Sequence, residues 1–240
     1  MTIFCKNKNS NSEIGIYLKY LKRFFDFVSS LMGIVILIPV LIIISILVKF
    51  NLGSPIFFKQ ERPGENEKTF TMYKFRTMKN FNSDKFRLLP DSKRLTKFGK
   101  FLRASSLDEL PGLFNVLKGN MSLVGPRPLS IKYLPFYTDE ERNRHSVKPG
   151  LTGLAQVNGR NSITWEEKFA YDIMYIQKIR FYLDVSIIFK TIYKVIIRSN
   201  IGQAEEAPKS LHIIRKNFIG GKKWYIYIKI FFLGLSKKMI

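Results

Sequence analysis

Between Asp26 and Lys49 the chain carries 22 consecutive residues without a charge, Phe27 to Val48, dominated by Ile, Leu and Val. About 20 such residues cross the hydrocarbon core of a bilayer, whereas a helix of a soluble protein usually keeps a polar face. The run therefore predicts a membrane-inserted helix. A cleavable signal peptide is the competing reading, but the apolar stretch outruns a usual h-region and no small-x-small cleavage site follows it. Basic residues flank it on both sides: Lys19, Lys22 and Arg23 before it, Lys49, Lys59 and Arg62 after it. Positive flanks stay in the cytoplasm, so both ends are drawn to one side. Pro39 lacks the N–H that would close a helical turn and crowds the preceding carbonyl, so a break is expected there. A helix broken at Pro39 and re-entering on the face it left satisfies both flanks; a kinked span is the alternative.

The whole chain is strongly cationic. Over 240 residues, 40 Lys and Arg stand against 18 Asp and Glu, a net charge of +22. Such an excess implies a polyanionic partner: nucleic acid, an anionic membrane surface or phosphorylated substrates. Hydrophobic residues at 46% exclude a disordered basic tail. A single cysteine, Cys5, excludes an internal disulfide and a cysteine-based zinc site. The familiar nucleic-acid-binding motifs do not occur, so no nucleic-acid partner is expected. The competing function, a membrane-attached adaptor that grips anionic lipid or nucleic acid by charge alone, would be indifferent to any one carboxylate.

Without repeats or low-complexity linkers, the chain divides into a membrane segment over 1–50, one globular unit over 51–200 and a tail over 201–240. The expected class is α+β and predominantly helical. Pro55 to Met78 reads as two strands around the turn at Pro63-Gly64. Alternation then places Phe70, Met72, Lys74, Arg76 and Met78 on one face, where the two cations suit either solvent or a phosphate. Helices are expected over 112–118, 165–178 and 185–198, the second opened by Thr164 and Glu167 in capping-box spacing. In the third, Lys190, Lys194 and Arg198 lie opposite Val185, Ile188, Ile192 and Val195/Ile196, an amphipathic helix that packs on the core or lies among headgroups. Beyond Ala207 no acid occurs, and Lys and Arg alternate with Trp224, Tyr225, Tyr227, Phe231 and Phe232, a composition suited to an anionic bilayer interface.

The chemistry concentrates between Arg103 and Pro128. Asp108 and Glu109 form the first adjacent acidic pair in the chain. Ser106 to Glu109 also has capping-box spacing, so a helix-start role stands beside a catalytic one. In Gly125-Pro126-Arg127-Pro128 the two prolines restrict the backbone around an arginine whose fork matches phosphate. Arg103, Arg127, Lys74 and Arg76 around a carboxylate pair would equip phosphoryl transfer: cations for a diphosphate, a carboxylate for Mg²⁺ or for attack. His145 and His212 lack a partner carboxylate pattern and are read as packing or surface residues.

Arg103 to Pro128, with Tyr73-Lys-Phe-Arg-Thr-Met78 before it and Arg144-His-Ser-Val-Lys-Pro-Gly-Leu-Thr-Gly-Leu-Ala-Gln-Val-Asn-Gly-Arg160 after it, closely resembles the bacterial sugar transferases. These are small monotopic phosphoglycosyl transferases, and the likeness runs from about Lys22 to Arg198. The resemblance implies transfer of a sugar 1-phosphate from a UDP-sugar to undecaprenyl phosphate, with Mg²⁺ and release of UMP, at the cytoplasmic face of the bacterial inner membrane. It implies that Asp108 is the nucleophile and a magnesium ligand, and that Glu109 assists by activating the acceptor phosphate. Lys74, Arg76, Arg103 and Arg127 fall on phosphate-holding positions, Asn158, Gly159 and Arg160 on a nucleotide or sugar segment, and Pro39 on the break of the membrane helix. A homodimer is compatible with the family.

Overall fold

A computed structural model describes residues 17–79, 94–159, 162–197 and 210–215; Arg160, Arg198 and most of the tail lie outside the described residues. The longest element is helix α1, Lys22–Leu52, of 31 residues, about 46 Å at 1.5 Å per residue. It is long and apolar enough to cross a membrane. Large side chains such as Ile36, Ile43 and Phe50 are exposed. One stripe is covered instead, formed by Lys22, Asp26, Ser30, Ile34, Ile44, Val48 and Leu52. Pro39 lies inside this helix, which continues beyond it. The stripe explains why: Ile34 before the proline and Ile44 and Val48 after it are buried on the same side, and that packing outweighs the roughly 3 kcal/mol that an interior proline costs.

Both ends of α1 seat on the same globular body. At the first end Lys22 Nζ reaches Asp184 at 2.5 Å, the Val124 carbonyl at 3.0 Å and the Tyr175 hydroxyl at 3.2 Å. Tyr17 donates to Asp184 at 2.7 Å, and Asp26 accepts from the Leu123 amide at 2.9 Å. Arg23 donates to the Val116 and Leu117 carbonyls at 2.6 and 2.7 Å. At the far end Ile44, Val48 and Leu52 pack on Phe75 and Leu102, and the Arg76 guanidinium donates to the carbonyls of Leu52 and Ser54. Lys22 and Arg23, which as sequence read as flanking surface charges, are thus consumed inside the protein.

The hairpin forms as expected. Strands β1, Phe57–Pro63, and β2, Thr69–Phe75, pair antiparallel with Gln60 opposite Met72. Helix α2, Lys97–Ala104, starts at Thr96, whose hydroxyl accepts from the Gly99 amide at 3.0 Å. Helix α3, Gly112–Lys118, is tied to β2 by Asn115, which accepts from the Tyr73 amide at 3.0 Å and donates to the Thr71 carbonyl at 2.7 Å. A second small sheet pairs β3, Ser122–Val124, in parallel with β4, Gly150–Thr152. Helix α4, Leu154–Asn158, follows, then α5, Trp165–Gln177, whose Thr164–Glu167 capping box is present, and α6, Phe181–Ile196.

Helix α6 is rotated from the sequence reading. Asp184 and Ile187 are buried while Tyr182, Phe189, Ile192, Tyr193 and Ile196 are exposed. Asp184 must turn inward to meet Lys22, and that carries Ile192 and Ile196 to the outside. From the tail, Leu211 is fully buried beside Tyr137, Trp165 and Phe169. Arg215 grips Glu141 at 2.7 and 2.9 Å and the Phe136 carbonyl at 2.9 Å, so residues 210–215 belong to the globular body.

Candidate active site

The acidic pair sits on a 3₁₀ turn, Leu107–Glu109, just past the end of α2. Ser106 before it is left-handed, with φ 57°, and its side chain makes no capping hydrogen bond. The capping role that the spacing allowed is therefore not the one the fold uses. Glu109 is engaged elsewhere: Lys74 Nζ donates to it at 2.7 Å and Arg127 at 2.5 and 3.3 Å. Burial pushes the Glu109 carboxyl up, but the charges and hydrogen bonds of Arg127 and Lys74 outweigh it and hold the group far below the usual carboxylate range. Glu109 stays ionised and orients two cations.

Asp108 differs in every respect. It is 8% exposed, and among the described residues it has no hydrogen bond or ion pair. Burial, reinforced by the adjacent Glu109 charge, raises its pKa to about 6 against the opposing pull of Lys74, Arg127 and Arg103. Kept free in a desolvated, cation-rich pocket, this carboxylate makes Asp108 the candidate for a reactive group.

The pair faces a cleft of about 590 Å³, in which cationic side chains well outnumber the carboxylates Asp108, Glu109 and Asp172. Lys74, Arg103 and Arg127 of the expected phosphate set line it together, and Arg103 is steadied by Thr77 at 3.0 Å. Arg76 also borders the cleft, but its guanidinium is turned onto the end of α1. Asn158 donates to the Leu154 carbonyl at 2.9 Å, and neither it nor Gly159 borders the cleft. Their segment contributes Ala155 and Gln156 instead.

Backbone contacts fix the loop that carries Arg127. A Cβ on Gly150 would meet the Gly125 amide nitrogen at 2.1 Å, and one on Gly153 would meet the Gly125 carbonyl oxygen at 2.2 Å. The glycines let two chain segments touch main chain to main chain. Arg144 completes the mounting: it donates to the Arg127 carbonyl at 2.7 Å and to Asp172 at 2.7 and 3.1 Å while fully enclosed. Sequence reasoning passed over Arg62, Lys168 and Asp172 in the cleft wall. Their only sequence signal was charge in a motif-rich stretch, because strand and helix partners far apart in the chain bring them together.

No group of three or more His, Cys, Asp or Glu able to cage a metal occurs among the described residues. With Glu109 committed to Lys74 and Arg127, Asp108 is the free oxygen donor. That donor set fits Mg²⁺, which is commonly held by one or two carboxylates together with substrate phosphates and water.

The family model "Bacterial sugar transferase" matches residues 17–198, and the chain belongs to this family of sugar transferases. It is 46% identical over 200 residues to an uncharacterised sugar transferase, EpsL, of Bacillus subtilis strain 168, covering 83% of this chain and 96% of that one. It is 40% identical over 189 residues to the UDP-glucose:undecaprenyl-phosphate glucose-1-phosphate transferase of Klebsiella pneumoniae, and 39% identical over 199 residues to the undecaprenyl-phosphate galactose phosphotransferase of Salmonella typhimurium. Each of these two alignments covers 75% of this chain and 41% of the longer relative.

Proposed function

We propose that the protein transfers a sugar 1-phosphate from a UDP-sugar to undecaprenyl phosphate, as the membrane-associated opening step of a bacterial surface glycan. The observation that carries this reading is the unpartnered, buried Asp108 carboxylate among phosphate-binding cations. An Asp108 oxygen attacks the β-phosphorus of the donor; the bond from that phosphorus to the bridging oxygen breaks, and UMP leaves with the electron pair. The resulting aspartyl phosphosugar is then attacked by a phosphate oxygen of the lipid, which restores the Asp108 carboxylate. Lys74, Arg103 and Arg127 offset the charge that gathers when one anion attacks another. Glu109, ionised and doubly held, fixes Lys74 and Arg127 in place, a role that the geometry favours over proton transfer. Asp108 and the donor phosphates would hold the Mg²⁺, which supplies further charge neutralisation when bound.

The proposed bilayer seating rests on α1, which is long and apolar enough to cross a membrane. Support for a re-entrant seating, with the active site on the cytoplasmic face, comes from both ends of α1 resting on one body. Cysteine labels near Lys8 and Ser54 in intact cells report the same side if it is re-entrant and opposite sides if α1 spans. The reaction itself is tested with purified protein, a panel of UDP-sugars, undecaprenyl phosphate and Mg²⁺. UMP release and a labelled sugar phosphate retained on the protein are expected, both lost in Asp108→Asn. Full turnover by Asp108→Asn would refute the nucleophile.

A further inference from the structure

The cleft contains a cation that the reaction scheme above does not use. Lys168, on α5, lines it together with Asp108, Arg127 and Trp165. Its ammonium stands 4.6 Å above the centre of the Trp165 ring, and among the described residues it has no carboxylate in ion-pair contact. Asp172, one turn further along its own helix, is spent on Arg144 at 2.7 Å. Burial, and then the charge of Arg127, depress the Lys168 pKa, with Asp172 opposing. Arg127 in turn is neutralised by Glu109. A half-buried cation beside a second cation, with the nearby Asp172 carboxylate already paired to Arg144, is held at a cost unless an anion joins it.

The support beneath it is rigid. Trp165 is 8% exposed, stacks on Phe169, meets Tyr133 edge-on at 5.3 Å, and shares a core cluster with Leu211 of the tail. These contacts hold the indole in place beneath Lys168. Long helix α1 packs on β3, α3 and the Phe75–Leu102 side of the molecule and reaches α5 at Tyr175, about two turns past Lys168, whereas the Trp165 end of α5 that bears Lys168 packs on Tyr133 and Leu211.

We infer that Lys168 and the Trp165 face beneath it form a second phosphate seat in the cleft, separate from the Lys74–Arg127 pair. Its place at the Trp165 end of α5, away from the Tyr175 end that meets α1, assigns it to a phosphate of the water-soluble nucleotide-sugar rather than to that of the lipid. The inference rests on the proposed transfer reaction.

Three variants and two readouts test it: Lys168→Met, Lys168→Arg and wild type, compared for UMP binding by calorimetry and for KM of each substrate. Lys168→Met is expected to weaken UMP binding about tenfold or more, to raise the KM for the UDP-sugar in proportion, and to flatten the salt dependence of UMP binding. The KM for undecaprenyl phosphate should not move, and Lys168→Arg should recover most of the loss. Thermal stability of Lys168→Met should be unchanged or higher, because an unpaired half-buried charge has gone. A rise in the lipid KM alone would keep the seat and assign it to the lipid phosphate. Unchanged UMP binding with lowered thermal stability would make Lys168 a packing residue and overturn the inference. Failure of wild type to release UMP from any UDP-sugar would instead refute the proposed reaction, since UMP binding is read without turnover.

Discussion

Replacing Asp108 with asparagine should make the protein more stable while it stops the reaction. The Asp108 pKa rises from 3.8 to about 6 on folding, chiefly through burial and then through the Glu109 charge. At about 1.4 kcal/mol per pKa unit, holding the carboxylate ionised in the folded state costs about 3 kcal/mol at neutral pH. The sign follows from proton counting: the folded state binds the proton more tightly than the unfolded chain, so this group's penalty is absent below pH 4, grows between pH 4 and 6, and is complete above that. Asparagine carries no charge at any pH and escapes the penalty. At about 2–4 °C per kcal/mol for a chain of this size, Asp108→Asn should raise Tm by about 6–12 °C at pH 8. The gain should shrink toward zero as pH falls to 4. Thermal unfolding of detergent-held protein across that pH range measures it. A lower Tm for Asp108→Asn at pH 8, or a gain independent of pH, would refute the claim that burial strains this carboxylate.

The same electrostatics set the acid limb of catalysis. The kcat/KM profile should fall below about pH 6 as Asp108 takes up its proton; Glu109→Gln should move the limb to lower pH and Lys74→Met to higher pH, and steady-state rates at graded pH would show both. Arg144→Met should lose about 3–5 kcal/mol of stability, because Asp172 is left buried and unpaired. In denaturant unfolding, adding Asp172→Leu to that variant should restore most of the loss.

Local signals in the sequence carried well into the structure. The Pro63-Gly64 hairpin, the Thr164–Glu167 capping box and the helix over 112–118 all depend on neighbours a few residues apart, where propensity and spacing decide. Ser106 shows the limit of such rules: the spacing fitted a cap, but the left-handed backbone there aims Asp108 into the cleft instead. What stayed hidden depends on pairs with no period at all, such as Lys22 with Asp184 and Arg144 with Asp172. Arg76 matched a phosphate position by motif, yet the open carbonyls at the end of α1 claim its guanidinium. Helix α6 was rotated for the same reason, one buried aspartate answering a lysine 162 residues away. At Gln156 and Lys168 nothing local marked a cleft wall, because the side chains that complete the cleft come from elements distant in the chain.

The main-chain contact between Gly125 and Gly150 bears on how such an enzyme can diversify. At 2.1 Å there is no space for even a methyl group, so the loop that presents Arg127 has essentially one permitted sequence at those positions and cannot be retuned by small steps. The α4–α5 wall is built from ordinary side-chain packing and accepts exchange of one residue for another. New donor preferences would therefore arise by drift on that wall, around Gln156 and Lys168, while the arginine loop is inherited intact.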